Sequence, residues 1–411
     1  MTDKLACRAC GATLERIFVD LGASPLSNAF LSAADLLRPE TYWPLRVFVC
    51  DVCLLVQLPA FEAPDTIFDA EYAYFSSYSE SWLAHAKAYA ETMIPALNLG
   101  RDSLVIEVAS NDGYLLRWFR EAGIPVLGIE PARNTAAAAE RLGISTRVAF
   151  FGATLARELL ADGVMADLIA ANNVLAHVPD IHDFVEGFRL LLTSRGVATF
   201  EFPHLLQLIR HTLFDTIYHE HYSYLSLHVV ERIFREHGLL VHDVEELPTH
   251  GGSLRVYASP MGSHQNPSPR VEALRRQEEE AGITRLDGYT GFAAQVGTVK
   301  DRLLDFLIRT KREGRRVVGY GAPAKASTLL NFAGVRTDLL PYSVDRSPHK
   351  QGRFLPGVRI PIYAPGRIIE DKPDIVLILS WNLKNEIAEQ MKMVRDWGGQ
   401  FAVPIPELEL L

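Results

Sequence analysis

The stretch Val105-Ile106-Glu107-Val108-Ala109-Ser110-Asn111-Asp112-Gly113, followed by Val126-Leu127-Gly128-Ile129-Glu130-Pro131, decides the fold. Each is a short, mostly apolar run that ends in small or turn-forming residues, the pattern of a buried strand whose carboxyl end opens onto a ligand. Small residues after the first run let the backbone approach that ligand closely. A dinucleotide fold would carry G-x-G-x-x-G at this turn; the motif is absent, which disfavours NAD. Glu130 follows the first turn by about 20 residues, the spacing of an acid that holds both hydroxyls of a ribose across two adjacent strands. Ala149-Phe150-Phe151 offers aromatic and apolar surface to an adenine, and Ala171-Asn172-Asn173-Val174 ends a further strand beside the same cleft.

Working outward, strands expected at Ser103–Ala109, Val126–Ile129, Asp167–Ala171 and Val197–Phe202 alternate with helices over Gly113–Ala122, Ala132–Leu142 and Ile181–Leu192. That alternation predicts a parallel sheet covered by helices. A helix over Glu80–Leu97 precedes it, with Trp82, Leu83, Ala86, Tyr89, Ala90 and Met93 at three- and four-residue steps. A helix near His228–His237 and extended runs at Leu239–Val244 and Ser253–Ala258 close the unit. Ser259–Pro269 is a linker by composition. A charged helix over Arg270–Gly282, a longer one over Gly291–Glu313, and a second α/β unit then follow. That unit starts at Arg316–Gly321 and continues through strands near Leu340–Val344 and Ile375–Leu379. The expected division is 1–70, 71–258 and 270–411.

The chain has 411 residues, enough for two or three domains, and 48% hydrophobic against 22% charged residues, ordinary for a folded protein. A net charge of -9 argues against a general nucleic-acid binder, which needs clustered Lys and Arg. No run is long and apolar enough for a membrane helix, and Met1–Leu5 lacks a secretory apolar region. The expected compartment is the cytoplasm, where thiols stay reduced.

That matters for the four cysteines. Cys7 and Cys10 form one C-x-x-C, and Cys50 and Cys53 form a second. Two thiolate knuckles complete the tetrahedral shell of one zinc ion. Two disulfides, or four inert buried thiols, are the alternative, the disulfides disfavoured in a reducing compartment. No coordination position is left for water, so the zinc is expected to be structural.

The densest chemistry lies at Tyr218-His219-Glu220-His221-Tyr222-Ser223-Tyr224, after Glu201-Phe202-Pro203-His204 at a strand end. His177 lies in Asn173-Val174-Leu175-Ala176-His177-Val178-Pro179-Asp180. A zinc protease motif needs histidines four apart; here they are two apart, so that reading fails. Acid/base work is the stronger reading, because histidine titrates near neutral pH and Glu220 is placed to orient a ring.

The cofactor motifs together resemble those of class I S-adenosylmethionine methyltransferases, with Ala109 where many carry glycine. The whole chain resembles the nucleotide-sugar C-methyltransferases of deoxysugar pathways. The resemblance runs through both C-x-x-C pairs, Tyr72-Ala73-Tyr74-Phe75-Ser76-Ser77, Glu107–Leu115, Asn172–Asp180, Tyr218–Tyr224 and Thr249-His250-Gly251-Gly252-Ser253. It extends through Gly319–Lys325, Thr328–Asn331 and Leu355–Ile362. It implies an α/β chain with a small N-terminal zinc module, a central Rossmann-like methyltransferase sheet and a second Rossmann-like domain at the C-terminus.

It also implies S-adenosylmethionine as cofactor, held by Glu107, Ala109, Ser110, Asn111 and Gly113 at the methionine end. Glu130 and Pro131 would meet the ribose, and Phe150 and Phe151 the adenine, with Asn172 and Asn173 completing the set. The implied reaction removes a proton beside the ketone of a 4-keto sugar, and the resulting enolate takes the methyl group. His221 is the implied base. Tyr218, Glu220 and His177 would polarise the ketone or hold the base, and Tyr72 would reach in from the N-terminal segment. Tyr74, His250, Lys325 and Lys350 are the expected substrate contacts, the two lysines facing a pyrophosphate, and a monomer is compatible with this set. A methyltransferase of the same architecture acting on oxygen, nitrogen or another keto compound is the runner-up, and a non-catalytic zinc adaptor a more distant one.

Overall fold

Within residues 5–61, 75–263 and 266–411, which the computed structural model describes, the chain builds three sheets. The largest has seven strands in the spatial order Leu239–Leu247, Ser253–Pro260, Leu192–Pro203, Ala166–Asn172, Val105–Val108, Val126–Ile129, Thr146–Arg147. Ser253–Pro260 is antiparallel to both neighbours and the other pairings are parallel. The chain enters this sheet at Val105–Val108, builds to one side, then returns to the other through Ala166–Asn172. The crevice at the carboxyl ends of these two strands is therefore the point where strand order reverses, the place where open α/β sheets hold ligands.

Alternation along the strands explains the layering. Val105, Leu168, Ala170 and Val197 pack on one face with Trp82, Tyr89 and Met93 of the helix Glu80–Ala96. Ile106, Val108, Ile169, Ala171 and Phe200 pack on the other, against Phe184 and Phe188 of the helix Ile181–Leu191. Each fully buried Leu or Phe contributes on the order of 1.5–3 kcal/mol. The first helix starts where Ser79 accepts a hydrogen bond from the Trp82 amide.

The N-terminal sheet runs Ile17–Ser24, Trp43–Val49, Val56–Gln57, Ser223–Tyr224. Its last strand comes from the middle of the chain, directly after the His-Glu-His segment. It is antiparallel, with Val56 opposite Tyr224 and Gln57 opposite Ser223, and the Leu58 amide donates to the Tyr222 carbonyl at 3.0 Å. The C-terminal sheet has the order Ile362–Tyr363, Ser343–Val344, Val317–Tyr320, Ile375–Ile378, Gln400–Val403, Glu409–Leu410, parallel except at the last pair. Numbered along the chain this is 3-2-1-4-5-6, the doubly wound arrangement. The N- and C-terminal sheets share one apolar core, in which Leu45, Val47 and Val56 meet Leu329, Leu355 and Ile375.

Two expectations need revision. Ser259 and Pro260 belong to a strand rather than the linker. The helix Pro269–Glu280 packs on the middle unit rather than the C-terminal one. Its Glu278 is 1% exposed and accepts from the Leu227 and His228 amides at 2.7 and 2.9 Å, capping the helix Leu227–Glu236. A charged helix needs a buried carboxylate to be satisfied this way, and the sequence does not reveal which glutamate turns inward. The helix Ala153–Ala161 lies outside the expected elements, and the helix whose start is expected near Ala322–Ala326 spans Ala324–Ala333. No helix among the described residues is long and apolar enough to cross a membrane.

Candidate active site and metal centre

The zinc module brings its four sulfurs together. Sγ atoms of Cys7, Cys10, Cys50 and Cys53 all lie within 4.8 Å of one another. The shortest pairs, Cys7–Cys53 at 3.4 Å and Cys10–Cys50 at 3.5 Å, are well beyond a disulfide bond of about 2.05 Å. Two thiolates on one tetrahedral zinc, each about 2.3 Å from it, sit roughly 3.8 Å apart, so the donor set and spacing fit the ion. The Gln57 side-chain amide donates to Cys7 Sγ at 3.0 Å, and the Val52 amide faces Cys50 Sγ at 3.4 Å.

A cavity of about 1410 Å³ opens at the reversal point of the central sheet. Ala109, Asn111, Glu130, Pro131, Phe150, Phe151, Asn172 and Asn173 line one part of it. The turn after the first strand is left-handed at Ala109 (φ 56°) and Asn111 (φ 49°), and Asn173 (φ 55°) repeats this at the fourth strand. Such backbone costs energy for residues with a Cβ and clusters at ligand sites. Glu130 ties two turns together, because its carboxylate accepts from the Asn111 and Ala132 amides, both at 2.8 Å. Each oxygen keeps a second acceptor position. Burial pushes the Glu130 carboxyl up, and those amides oppose the shift. The Oδ1 atoms of Asn172 and Asn173 are buried without a hydrogen bond. Acceptors at successive strand ends, two of them unsatisfied, with Phe150 and Phe151 beyond, fit a nucleoside carrying a cationic amino-acid tail.

Three residues expected to touch the cofactor do not line the cavity. Glu107 is fully buried, and burial pushes its carboxyl well above the usual range while neighbouring Tyr114 opposes. Ser110 is fully buried under the second strand, where a Cβ on Gly128 would meet its Oγ at 2.6 Å. Gly113 (φ 79°) is a packing glycine, since a Cβ there would lie 2.4 Å from Ile144 Cδ1. The sequence places Glu107 at the strand end and Ser110 and Gly113 in the turn without showing which way they face.

The same cavity is lined by His177, Tyr218, Glu220 and His221. His221 is 7% exposed, and its Nδ1 lies 2.8 Å from the Thr216 carbonyl oxygen. A carbonyl only accepts, so Nδ1 carries the proton and Nε2 is left with its lone pair. The His177 ring meets it edge-on at 4.6 Å, and the Tyr218 ring covers it at 4.1 Å. Burial pushes His221 well below its ordinary value, and His177 adds to the shift. Burial likewise lowers His177 to about 4. His221 is therefore neutral, as a base must be. His219 does not line the cavity; its Nε2 donates to the Pro44 carbonyl at 3.2 Å, in the N-terminal module. Tyr72 and Tyr74 lie outside the described residues.

Glu220 is 5% exposed, and its Oε1 accepts from Asn28 Nδ2 at 2.7 Å. Burial raises its carboxyl from 4.5 to about 7, against the pull of Asn28 and Lys350. A carboxyl raised on folding favours the protonated form, so the cost of its ionisation is absent below the unfolded value, grows between pH 4.5 and 7, and is complete above 7. That cost corresponds to about 3 kcal/mol. Glu220→Gln is thus expected to stabilise the fold at pH 8, leave stability unchanged near pH 4, and lower turnover. Thermal melts at the two pH values check it; equal shifts at both would contradict it.

His250, Lys325 and Lys350 line the far part of the cavity, contributed by the turn Thr249–Gly251 and the C-terminal unit. Asn173 Nδ2 donates to His250 Nε2 at 3.3 Å. Lys325 Nζ donates to Asn382 Oδ1 at 3.2 Å, and Lys350 Nζ to the Ala322 carbonyl at 2.9 Å. Sequence reasoning missed Asn28, Phe75, Trp82, Tyr114, His349 and Arg353, which line the cavity too. Asn28 carried no signal, since its partner Glu220 is 192 positions away.

Residues 7–68 match a family model of a zinc binding domain, residues 82–244 a methyltransferase domain, and residues 248–406 a C-methyltransferase C-terminal domain. C-methyltransferase NovU of Streptomyces niveus is 36% identical over 401 residues, covering 98% of this chain and 95% of that protein. Among solved structures, an S-adenosylmethionine-dependent methyltransferase from Clostridium acetobutylicum ATCC 824 aligns with a TM-score of 0.36 at 12% identity, over 44% of this chain and 92% of that one. One from Mesorhizobium loti aligns with a TM-score of 0.33 at 16% identity, over 42% and 99%.

Proposed function

The chain belongs to the C-methyltransferase family, and we propose that it methylates a nucleotide-linked 4-keto-deoxysugar, of the dTDP type, on the carbon beside the ketone, C-3′. It is an S-adenosylmethionine-dependent enzyme with a class I methyltransferase fold, a four-cysteine zinc module before it and a further α/β domain after it. The observation that supports the substrate class is a neutral, buried imidazole with a free Nε2, in a cavity continuous with the Glu130 cradle.

Carbon is a poor nucleophile unless a neighbouring carbonyl acidifies its proton. In this reading His221 takes that proton on Nε2 while Nδ1 stays anchored on Thr216. Such positioned base catalysis supplies about 10²–10⁴-fold. Glu220, in the protonated form that burial favours, and Tyr218 donate to the oxygen on which charge develops. Tyr72 joins them from the N-terminal segment. When bound, S-adenosylmethionine supplies an electrophilic methyl carbon on a sulfonium. Glu130 would hold its ribose, Phe150 and Phe151 would flank its adenine, and Ala109, Asn111, Asn172 and Asn173 would receive the polar end. Lys325 and Lys350, with His250 and Tyr74, hold the nucleotide sugar, and the lysines face its pyrophosphate. Bringing both partners into one closed cavity supplies much of the remaining rate. Reduced zinc thiolates suit a cytoplasmic setting. The test is the position of the new methyl group: on carbon beside the ketone if the reading holds, on oxygen or nitrogen if it fails.

A further inference from the structure

The catalytic loop is anchored from the C-terminal unit by two buried hydrogen bonds, one of them side chain to side chain. Asp215 is fully buried, and its Oδ2 accepts from Trp381 Nε1 at 2.6 Å. The next residue, Thr216, carries the carbonyl that fixes the proton on His221 Nδ1. Ile217, one further on, accepts at its carbonyl from Thr328 Oγ1 at 2.8 Å, again from the C-terminal unit. The Trp381 indole also fills the space beside the His250 turn, since a Cβ on Gly251 would lie 2.4 Å from Trp381 Cη2. The Lys325 ammonium sits 4.4 Å from the centre of the same ring. One indole therefore touches the loop that orients the base, the turn that carries His250, and the lysine assigned to the pyrophosphate.

We infer that Trp381 and Asp215 are positioning residues through which the C-terminal unit sets the orientation of His221. Neither contacts the reacting atoms. Without the indole N–H, the buried Asp215 carboxyl loses its direct hydrogen bond to the C-terminal unit and keeps from that unit only the charge of Lys325, and loop 214–217 relaxes. The Thr216 carbonyl then no longer holds His221 in a single tautomer and pose.

This inference rests on His221 as the base, and the experiment separates the two ideas. Trp381→Phe, Asp215→Ala, Asp215→Asn and the Trp381→Phe/Asp215→Ala double variant are compared for kcat, KM and S-adenosylmethionine affinity. Long-range ¹H–¹⁵N spectra of the histidine rings are recorded on the same proteins, with the His221 signal assigned by its loss in His221→Asn. Trp381→Phe and Asp215→Ala should lower kcat about tenfold or more while cofactor affinity is kept. Asp215→Asn, which keeps an acceptor oxygen for the indole, should recover most of the loss. The double variant should be no worse than the worse single one, because both remove the same bond. The His221 ring should show one Nδ1-protonated form in the native protein and mixed tautomers in Trp381→Phe and Asp215→Ala. If Trp381→Phe fails to fold, Asp215→Ala against Asp215→Asn decides. Unchanged kcat with one tautomer throughout, or losses that multiply in the double variant, overturns the inference. A native protein that shows the single tautomer but makes no methylated sugar defeats the reaction reading instead.

Discussion

His221→Asn should cut methyl transfer sharply while S-adenosylmethionine still binds. The imidazole is fixed in the cavity, with its Nδ1 tied to Thr216, one face under Tyr218 and one edge against His177. Burial keeps it neutral, so Nε2 presents an unprotonated lone pair across the working pH range. Asparagine keeps the polarity but has no basic nitrogen. The expected loss in kcat is on the order of 10²–10⁴-fold. Exchange of the proton beside the ketone into deuterated buffer should fall in parallel, because both need the same abstraction. Cofactor affinity should hold, since the residues proposed for that contact, Glu130 and the strand-end asparagines, are unchanged. Near-normal kcat in the variant removes His221 from the role of base.

Loss of zinc should be as damaging, and for a structural reason. Knuckle zinc sites contribute about 10–16 kcal/mol of apparent binding free energy to folding. Here the module also supplies a strand to the catalytic segment. Three residues after Cys53, Val56 and Gln57 pair with Tyr224 and Ser223. The Arg8 amide, between the first two ligands, donates to Gln57 Oε1 at 2.9 Å, and its guanidinium lies 5.3 Å from the Tyr222 ring. Cys53→Ser, or removal of metal with a strong chelator, should therefore unfold the module and release residues 218–224 from their pairing. The measurement is metal content together with hydrogen exchange of the Tyr222–Tyr224 amides. Zinc loss with rapid exchange of those amides is expected, and a zinc-free protein with protected amides and normal turnover would contradict the account.

Much of this arrangement is legible in sequence because the signals are local. The strand Val126–Ile129 appears where its apolar run and Glu130 place it. Two C-x-x-C knuckles need only a reducing compartment and tetrahedral chemistry to be read. Non-local pairing is what stays hidden. Ser223 and Tyr224 are a strand only because Val56 and Gln57 lie alongside. Asn28 reaches Glu220, and Trp381 reaches Asp215, across chain separations that no periodicity encodes. Facing is equally hidden at a turn: Ala109 and Asn111 border the cavity, whereas Ser110 and Gly113 serve the packing of the strands and helix behind it.

The most direct measurement gives the purified protein S-adenosylmethionine with a ¹³C-labelled methyl group and a dTDP-4-keto-6-deoxysugar, and records the mass and carbon spectrum of the sugar. The expected result is one added methyl, bonded to the carbon beside the ketone. A labelled methyl on oxygen or nitrogen, or an unmodified sugar in the presence of confirmed cofactor binding, would contradict it.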